Sequence, residues 1–425
     1  MPSAESAASP RRSVLRWFLL AAFMVLAYVG FRLFEPVLVW NIGWRELPPS
    51  KPSDASPDAQ FIDQAWREVA PQAAQRLREA QARMQAPAIS AAIAIDGNRV
   101  WAGAVGFADI AANQRITLDS RFRLGSTSKA VTAVALGTLL DAGRLDIDLP
   151  VGRYLPDLPE PLAAVTTRQA ISHTAGVRNY GLCLCFPVWE HLNRRHFTSV
   201  RNALRVFEND PLQFPPGTGF AYSSYGANVA GAVIEAAAAT PFLEYLDRAV
   251  FEPLEMHGGG GDLADADVPG RVAFYETKER RYKSAFAVDN SIRWPSGGLI
   301  AAPSDMLLLG NAMLDDRLLS GATRKLLLTP QLLADGSANP QGYALGWRVS
   351  NEKKLFDGSV ITRMYSHHGT AVGSTSYFAV YPEFGLVISL MMNKGQEEIA
   401  ALASEADALV EIYVAERRRR SQTPP

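Results

Sequence analysis

Apolar and polar positions divide the chain into stretches of different kind. Residues 17–31 (WFLLAAFMVLAYVGF) carry no charge; Arg11, Arg12 and Arg16 precede them, Arg32 closes the run, and a second apolar stretch covers 36–43. A spanning helix wants about 20 apolar residues, a length reached once Arg16 and Arg32 extend their stems toward the interfaces. The pattern predicts a short cytoplasmic segment (1–16), a membrane anchor (17–40) and a body on the far side, which in a bacterium is the periplasm, because the flanking charge before the run is positive. A cleaved signal peptide is the alternative; no small-x-small site follows the run. Residues 41–58, rich in Pro, Ser and Asp from position 46 on, read as an exposed linker.

Beyond the linker the periodicities alternate. Residues 60–84 read as a helix. Residues 88–95 and 100–107 read as two strands around Asp96-Gly97, a dipeptide suited to a tight hairpin. Residues 374–381 and 386–392 form a second hairpin around Pro382-Glu383-Phe384-Gly385. Helical patterns fall near 129–142, 168–172, 227–239 and 303–313, and again over 397–415, where Ile399, Leu402, Ala406, Leu409, Ile412 and Tyr413 share a face. Strands at both ends of the body with helices between them predict one α+β domain (59–416) whose antiparallel sheet joins distant segments. Arg417 to Arg420 then end the ordered chain as a basic tail (417–425). No fixed-period repeat is present.

Composition narrows the function. Lys plus Arg number 42 and Asp plus Glu 43, a net charge of −1, so there is no positive excess to hold a nucleic acid. The two cysteines, Cys183 and Cys185, are too few for a disulfide scaffold or a four-cysteine metal site.

The chemistry-bearing residues come in three separated groups. Ser126-Thr127-Ser128-Lys129 opens a helix, and an offset of three places Ser126 and Lys129 on one face. The free N–H groups and dipole at a helix start favour developing negative charge near Ser126. A partly desolvated Lys129 can take the serine proton. Pro216-Gly217-Thr218 leads into Tyr222-Ser223-Ser224, and a phenol beside an ammonium can have a lowered pKa and act as a base. His367-His368-Gly369-Thr370 precedes the last hairpin; Gly369 allows close backbone approach, and the next N–H can face a carbonyl oxygen. Ser-x-x-Lys alone is a weak signal. All three in this order are a strong one.

The set resembles the serine β-lactamase and penicillin-binding-protein superfamily, in its class C β-lactamase-related branch, which carries S-x-x-K, Y-x-N and [K/H/W]-x-G. Further running matches are Arg121-Phe122-Arg123-Leu124-Gly125-Ser126, Ser172-His173-Thr174-Ala175-Gly176, Phe251-Glu252-Pro253-Leu254 and Gly342-Tyr343-Ala344-Leu345-Gly346-Trp347. The Tyr-Ser-Ser and His-x-Gly-Thr forms are most like the mitochondrial serine β-lactamase-like proteins and their bacterial relatives. The resemblance implies a β-lactamase/transpeptidase-like fold and a serine hydrolase working through an acyl-enzyme, with no metal or organic cofactor. Ser126 is then the nucleophile, and Lys129 and Tyr222 share the base role. The N–H groups of Ser126 and Thr370 form the oxyanion hole, with Gly369, His367 and Ser224 lining the substrate site. Ser224 stands where many members have Asn, and His367 replaces a lysine. An imidazole with a pKa of about 6.5 is mostly neutral at pH 7 to 8, so recognition of a substrate carboxylate weakens. An amide- or ester-cleaving peptidase or esterase fits better than an efficient β-lactamase. Binding of acidic substrates should vary between about pH 5.5 and 7.5 if His367 protonation governs it. The rival is an inactive scaffold that binds partners through the cleft, which would not need Ser, Lys and Tyr together. His173 reads as a structural turn, His368 as either lining or packing, Gly258 to Gly261 as a flexible loop, and Cys183 and Cys185 as thiols beside the cleft rim.

Overall fold

The computed structural model describes residues 10–48, 59–182, 189–395 and 399–422. Its centre is an antiparallel sheet of strands β1 (Gln60–Ile62), β2 (Ala88–Ile95), β3 (Asn98–Asp109), β4 (Arg348–Leu355), β5 (Val360–Ala371), β6 (Ser374–Tyr381) and β7 (Leu386–Met392). Their order is β4-β5-β6-β7-β2-β3-β1, with Gln114–Arg115 added beside β3. Both sequence-predicted hairpins form. Asp96 and Gly97 both take positive φ (51° and 82°), the combination a two-residue hairpin turn requires. The hairpins join where β7 pairs with β2, from Leu386 opposite Ile95 to Met392 opposite Ile89.

The principal helices are α1 (Pro10–Asn41), α2 (Ala70–Met84), α3 (Ser128–Asp141), α4 (Ser224–Ala238), α5 (Pro303–Ala312) and α6 (Ile399–Gln422). Strands β2, β6 and β7 are buried at every position, because both sheet faces are covered. On the rear face α2 and α6 bury Leu77, Trp101, Leu390, Leu409 and Tyr413. On the front face α3, α4 and α5 belong to the larger core with Val131, Leu136, Val233, Leu309 and Phe378.

Several expectations are corrected. Residues 60–84 are not one helix. Gln60 to Ile62 pair with β3, and α2 starts at Ala70, where Pro71 occupies a first-turn position that needs no N–H partner. The arginines at the chain's end do not form a tail after the ordered chain. Helix α6 runs through them to Gln422. Arg417 pairs with Asp96 at 2.5 Å, and Arg419 and Arg420 pair with Glu416 one turn back at 2.8 and 2.7 Å. Of the glycine run, Gly260–Gly261 is a short strand against Leu299 and Ile300.

One described helix segment, Val14–Glu35, is long and apolar enough to cross a membrane. At 1.5 Å per residue its 22 residues extend about 33 Å. Its apolar side chains are exposed on all sides (Trp17 69 %, Leu26 70 %), a distribution suited to lipid rather than to a one-sided core. The last turns of α1 then meet the body. Glu35 pairs with Arg194 at 3.3 Å. The Lys283 ammonium lies 4.9 Å from the ring centres of both Trp40 and Trp44, and Arg45–Glu46 pairs with Arg281 and Tyr282. The first part of the expected linker is therefore engaged; residues 49–58 lie outside the described residues, as do Cys183 and Cys185.

Candidate active site

Two glycines bring the turn before α3 flush against β5. Gly125 has φ +52°, and a Cβ there would lie 2.8 Å from the backbone of Thr370. A Cβ on Gly369 would lie 1.9 Å from the Leu124 carbonyl oxygen and 2.8 Å from the Ser126 nitrogen. No larger residue fits either position without separating the two segments. Hydroxyls complete the seam: Ser376 donates to the Leu124 carbonyl at 2.7 Å, and Thr127 and Ser376 lie 2.8 Å apart. Ser126 is left half-buried on a single 3₁₀ turn leading into α3, with its backbone nitrogen beside Gly369 near the end of β5.

Lys129, one turn further, is wholly buried. Its Nζ lies 3.1 Å from Ser126 Oγ, 3.4 Å from Ser224 Oγ and 2.7 Å from the Ser296 carbonyl oxygen. Burial first, then the nearby charges of Arg348 and Arg293, push its pKa well below the ordinary 10.5. A neutral amine has two hydrogens and one lone pair. Donation to the Ser296 carbonyl and Ser224 leaves that lone pair for the Ser126 hydroxyl.

The half-buried Tyr222 places its ring centre 4.9 Å from Lys129 Nζ and hydrogen-bonds Ser126. Its phenol is not lowered as the sequence suggested. Burial raises its pKa above the usual 10, and the hydrogen bond with Ser126 and the charge of Arg348 offset only part of that rise. Desolvation outweighs the charge of Arg348. Ser224 is the first residue of α4. Its N–H donates to Asn179 Oδ1 at 3.0 Å, and its hydroxyl turns to Lys129.

His367 is also corrected. It is fully buried rather than facing substrate. Its Nδ1 lies 2.7 Å from the His368 carbonyl, which can only accept, so Nδ1 carries the proton. Nε2 then accepts from the Tyr343 hydroxyl at 2.9 Å. Burial first, then the charges on Lys129, His368 and Arg348, hold its pKa well below 6.5. The titration expected between pH 5.5 and 7.5 is thereby removed. His368 pairs across the ladder with Tyr377, whose side chain belongs to the rear core. Strand alternation puts it on the face away from Lys129, and burial pulls its pKa to about 4, with Arg348 and Lys129 adding to the shift.

His173 takes the structural role expected. It has φ +65°, its Nδ1 accepts from the Ser223 N–H at 3.2 Å, and its ring lies 4.3 and 4.4 Å from those of Tyr222 and Tyr343.

Several residues of the site were not singled out from sequence. Arg348 lies 5.6 Å from the Tyr222 ring centre, with no carboxylate partner among the described residues. Arg293, 7 % exposed, is the second cation acting on Lys129. Tyr343, Ser296 and Asn179 hold His367, Lys129 and Ser224. Arg348 directly follows the Gly342-to-Trp347 stretch, and that adjacency was the available signal. Among the described residues no cluster of His, Cys, Asp or Glu could hold a metal ion.

Residues 73–412 match the Beta-lactamase family. The chain is 29 % identical over 379 residues to the serine beta-lactamase-like protein LACTB, mitochondrial, of Homo sapiens, covering 70 % of this chain and 69 % of that protein. Esterase EstB of Burkholderia gladioli is 34 % identical over 181 residues, 40 % of this chain and 46 % of the esterase. A penicillin-binding protein from Bacillus halodurans superposes with a TM-score of 0.65 at 25 % identity, covering 77 % of this chain and 97 % of that one. The D-amino acid amidase from Ochrobactrum anthropi SV3 shares the fold, with a TM-score of 0.69 at 21 % identity, over 82 % and 99 % of the two chains. The chain belongs to the beta-lactamase family, has the β-lactamase/transpeptidase-like fold and is a hydrolase of that group.

Proposed function

We propose that this family member is a membrane-anchored serine hydrolase of the class C-related type, cleaving an ester or amide through an acyl-enzyme. The observation that carries the reading is the buried Lys129 amine 3.1 Å from Ser126 Oγ, with its pKa depressed by burial. Neutral Lys129 accepts the Ser126 proton as Oγ attacks the carbonyl carbon. The carbonyl oxygen becomes an oxyanion held by the N–H groups of Ser126 and Thr370, on the two segments that Gly125 and Gly369 bring together. The proton passes through Tyr222 to the departing oxygen or nitrogen as the carbon–heteroatom bond breaks. Water then gives its proton to the relay, attacks the acyl carbon and releases the acid, and the proton returns to Ser126. Throughout, Tyr222 works as a neutral shuttle, because burial keeps its proton on.

Esters and amides fit this site better than β-lactams. His367 offers no cation to a substrate carboxylate, since it is buried and uncharged. The apolar helix segment preceded by Arg11, Arg12 and Arg16 supports an anchor with the catalytic domain outside the cytoplasm, the periplasm in a bacterium. Contacts of Glu35 and Trp40 with the body support its retention over removal as a signal.

The test is Ser126→Ala in the full-length protein. Ester turnover should fall by at least about 10³-fold, and the mass increase from a fluorophosphonate should disappear. Unchanged labelling in that variant would overturn the assignment.

A further inference from the structure

A cavity of about 500 Å³ opens beside the site, and the anchor helix forms one of its walls. Thr370 lies at its inner end, Leu192 and Phe286 on the body side, and Val37, Val39 and Trp40 of α1 complete it. The volume is in the range of small-molecule pockets, roughly 300 to 1,000 Å³. Three charged groups line it, Glu276, Lys283 and Arg293, and the charge of Glu276 acts on Lys283. Lys283 donates to the Val39 carbonyl and lies against Trp40 and Trp44. Arg293 donates to the His191 carbonyl at 2.6 Å and lies over Tyr180.

Two facts fix what this cavity receives. A leaving group must be reached by the proton donor, so it departs on the side of Tyr222 and Lys129. Neither residue lines this cavity, whereas Thr370, Ala371 and Val372 do, so the cavity opens away from the proton donors, on the side left to the acyl group. Its α1 wall also begins two residues beyond the membrane-crossing segment, which ends at Glu35. With that segment in a bilayer, the cavity mouth sits at the lipid–water boundary.

We propose that the cavity binds the acyl chain of an amphiphilic ester or amide taken from the membrane surface, and that the anchor helix is part of the substrate site. The inference rests on the serine-hydrolase reading above, with Ser126 as nucleophile. Each buried methylene strengthens binding by roughly three- to fourfold until the cavity is full.

The experiment uses the full-length protein in lipid nanodiscs and fluorophosphonates carrying a methyl, hexyl or decyl chain on phosphorus. Ser126 Oγ attacks phosphorus, an O–P bond forms, the P–F bond breaks, and the serine proton goes to Lys129. The second-order labelling rate should rise at least about 30-fold from methyl to decyl. Val37→Asp should cut the decyl-to-methyl ratio by about tenfold or more. Val37→Trp, which narrows the cavity without adding charge, should move the preference to the hexyl chain. A flat chain-length series, or a ratio unmoved by both substitutions, overturns the inference. Failure of every probe to label Ser126 instead removes the hydrolase reading beneath it, so the two failures are distinguishable.

Discussion

The two faces of the central sheet both bury apolar cores, the front one the larger, but with different chemistry. On the rear face Leu77, Leu390, Leu409 and Val410 pack in one apolar cluster between α2, α6 and the strands, with ion pairs such as Arg83–Glu405 bridging the two helices. On the front face the strands present Ser374, Ser376, Ser389 and His367 to the helices, and the 3₁₀ turn and first residues of α3 answer with Thr127, Ser128 and Lys129, all buried. An apolar face stabilises in proportion to the area removed from water. A polar face stabilises only while every group keeps its partner. The rear face thus provides the stability that lets the front face keep an amine in a dry site. That environment disfavours the charge on Lys129, which the proposed base role requires.

Exchanging the chemistry of one position on each face tests this division. The largest effect on activity should come from Lys129→Met, a loss of about 10²- to 10⁴-fold in kcat/KM, with an increase in melting temperature. The sign follows from proton binding. Between its depressed folded pKa and the ordinary 10.5, Lys129 holds a proton only when unfolded, so its presence lowers stability as pH falls. The gain on replacement should be greatest at low pH and fade toward pH 10; a destabilised variant at pH 7 would break the comparison. Next, Leu409→Ala on the rear face should cost about 2–5 kcal/mol of unfolding free energy while kcat/KM stays unchanged. Denaturant titration and steady-state kinetics on the same preparation check both halves. The smallest effect belongs to Arg348→Met. Removing a cation that holds the Lys129 pKa down should move the acidic limb of the kcat/KM profile to higher pH, with a loss of about two- to tenfold at neutral pH recovered as pH rises. An unmoved limb would remove Arg348 from the tuning of the base.

The fold was largely legible in local patterns. Asp96-Gly97 and Gly385 marked two hairpins, the runs flanking them marked β2, β3, β6 and β7, and the spacing of Leu402, Ala406, Leu409 and Tyr413 marked α6. The misread places were those where a local pattern competes with a long-range partner. Residues 60–62 could continue a helix by composition, yet they pair with Ala102 and its neighbours. Arg417 to Arg420 look like a solvated tail, yet Asp96 and Glu416 hold them in the helix. In the site, Ser126, Lys129, Tyr222, Ser224, Gly369 and Thr370 could be named from motifs, and the structure brings them together. Arg348, Arg293 and Ser296 could not, because each acts through position alone and belongs to no motif of residue types; Tyr343 lies inside a matched stretch, but only its contact with His367 shows its role.

By itself the sequence determined the apolar segment, the α+β order of elements and three reactive groups, since these depend on residue type and short spacing. The tertiary structure alone decided the protonation behaviour of those groups. A lysine, a tyrosine and a histidine have ordinary pKa values in any sequence. Burial beside two arginines lowers Lys129, burial raises Tyr222, and the His368 carbonyl with the Tyr343 hydroxyl fixes the tautomer of His367. Desolvation is a property of everything that surrounds a group in space, and residues more than two hundred positions apart supply it here.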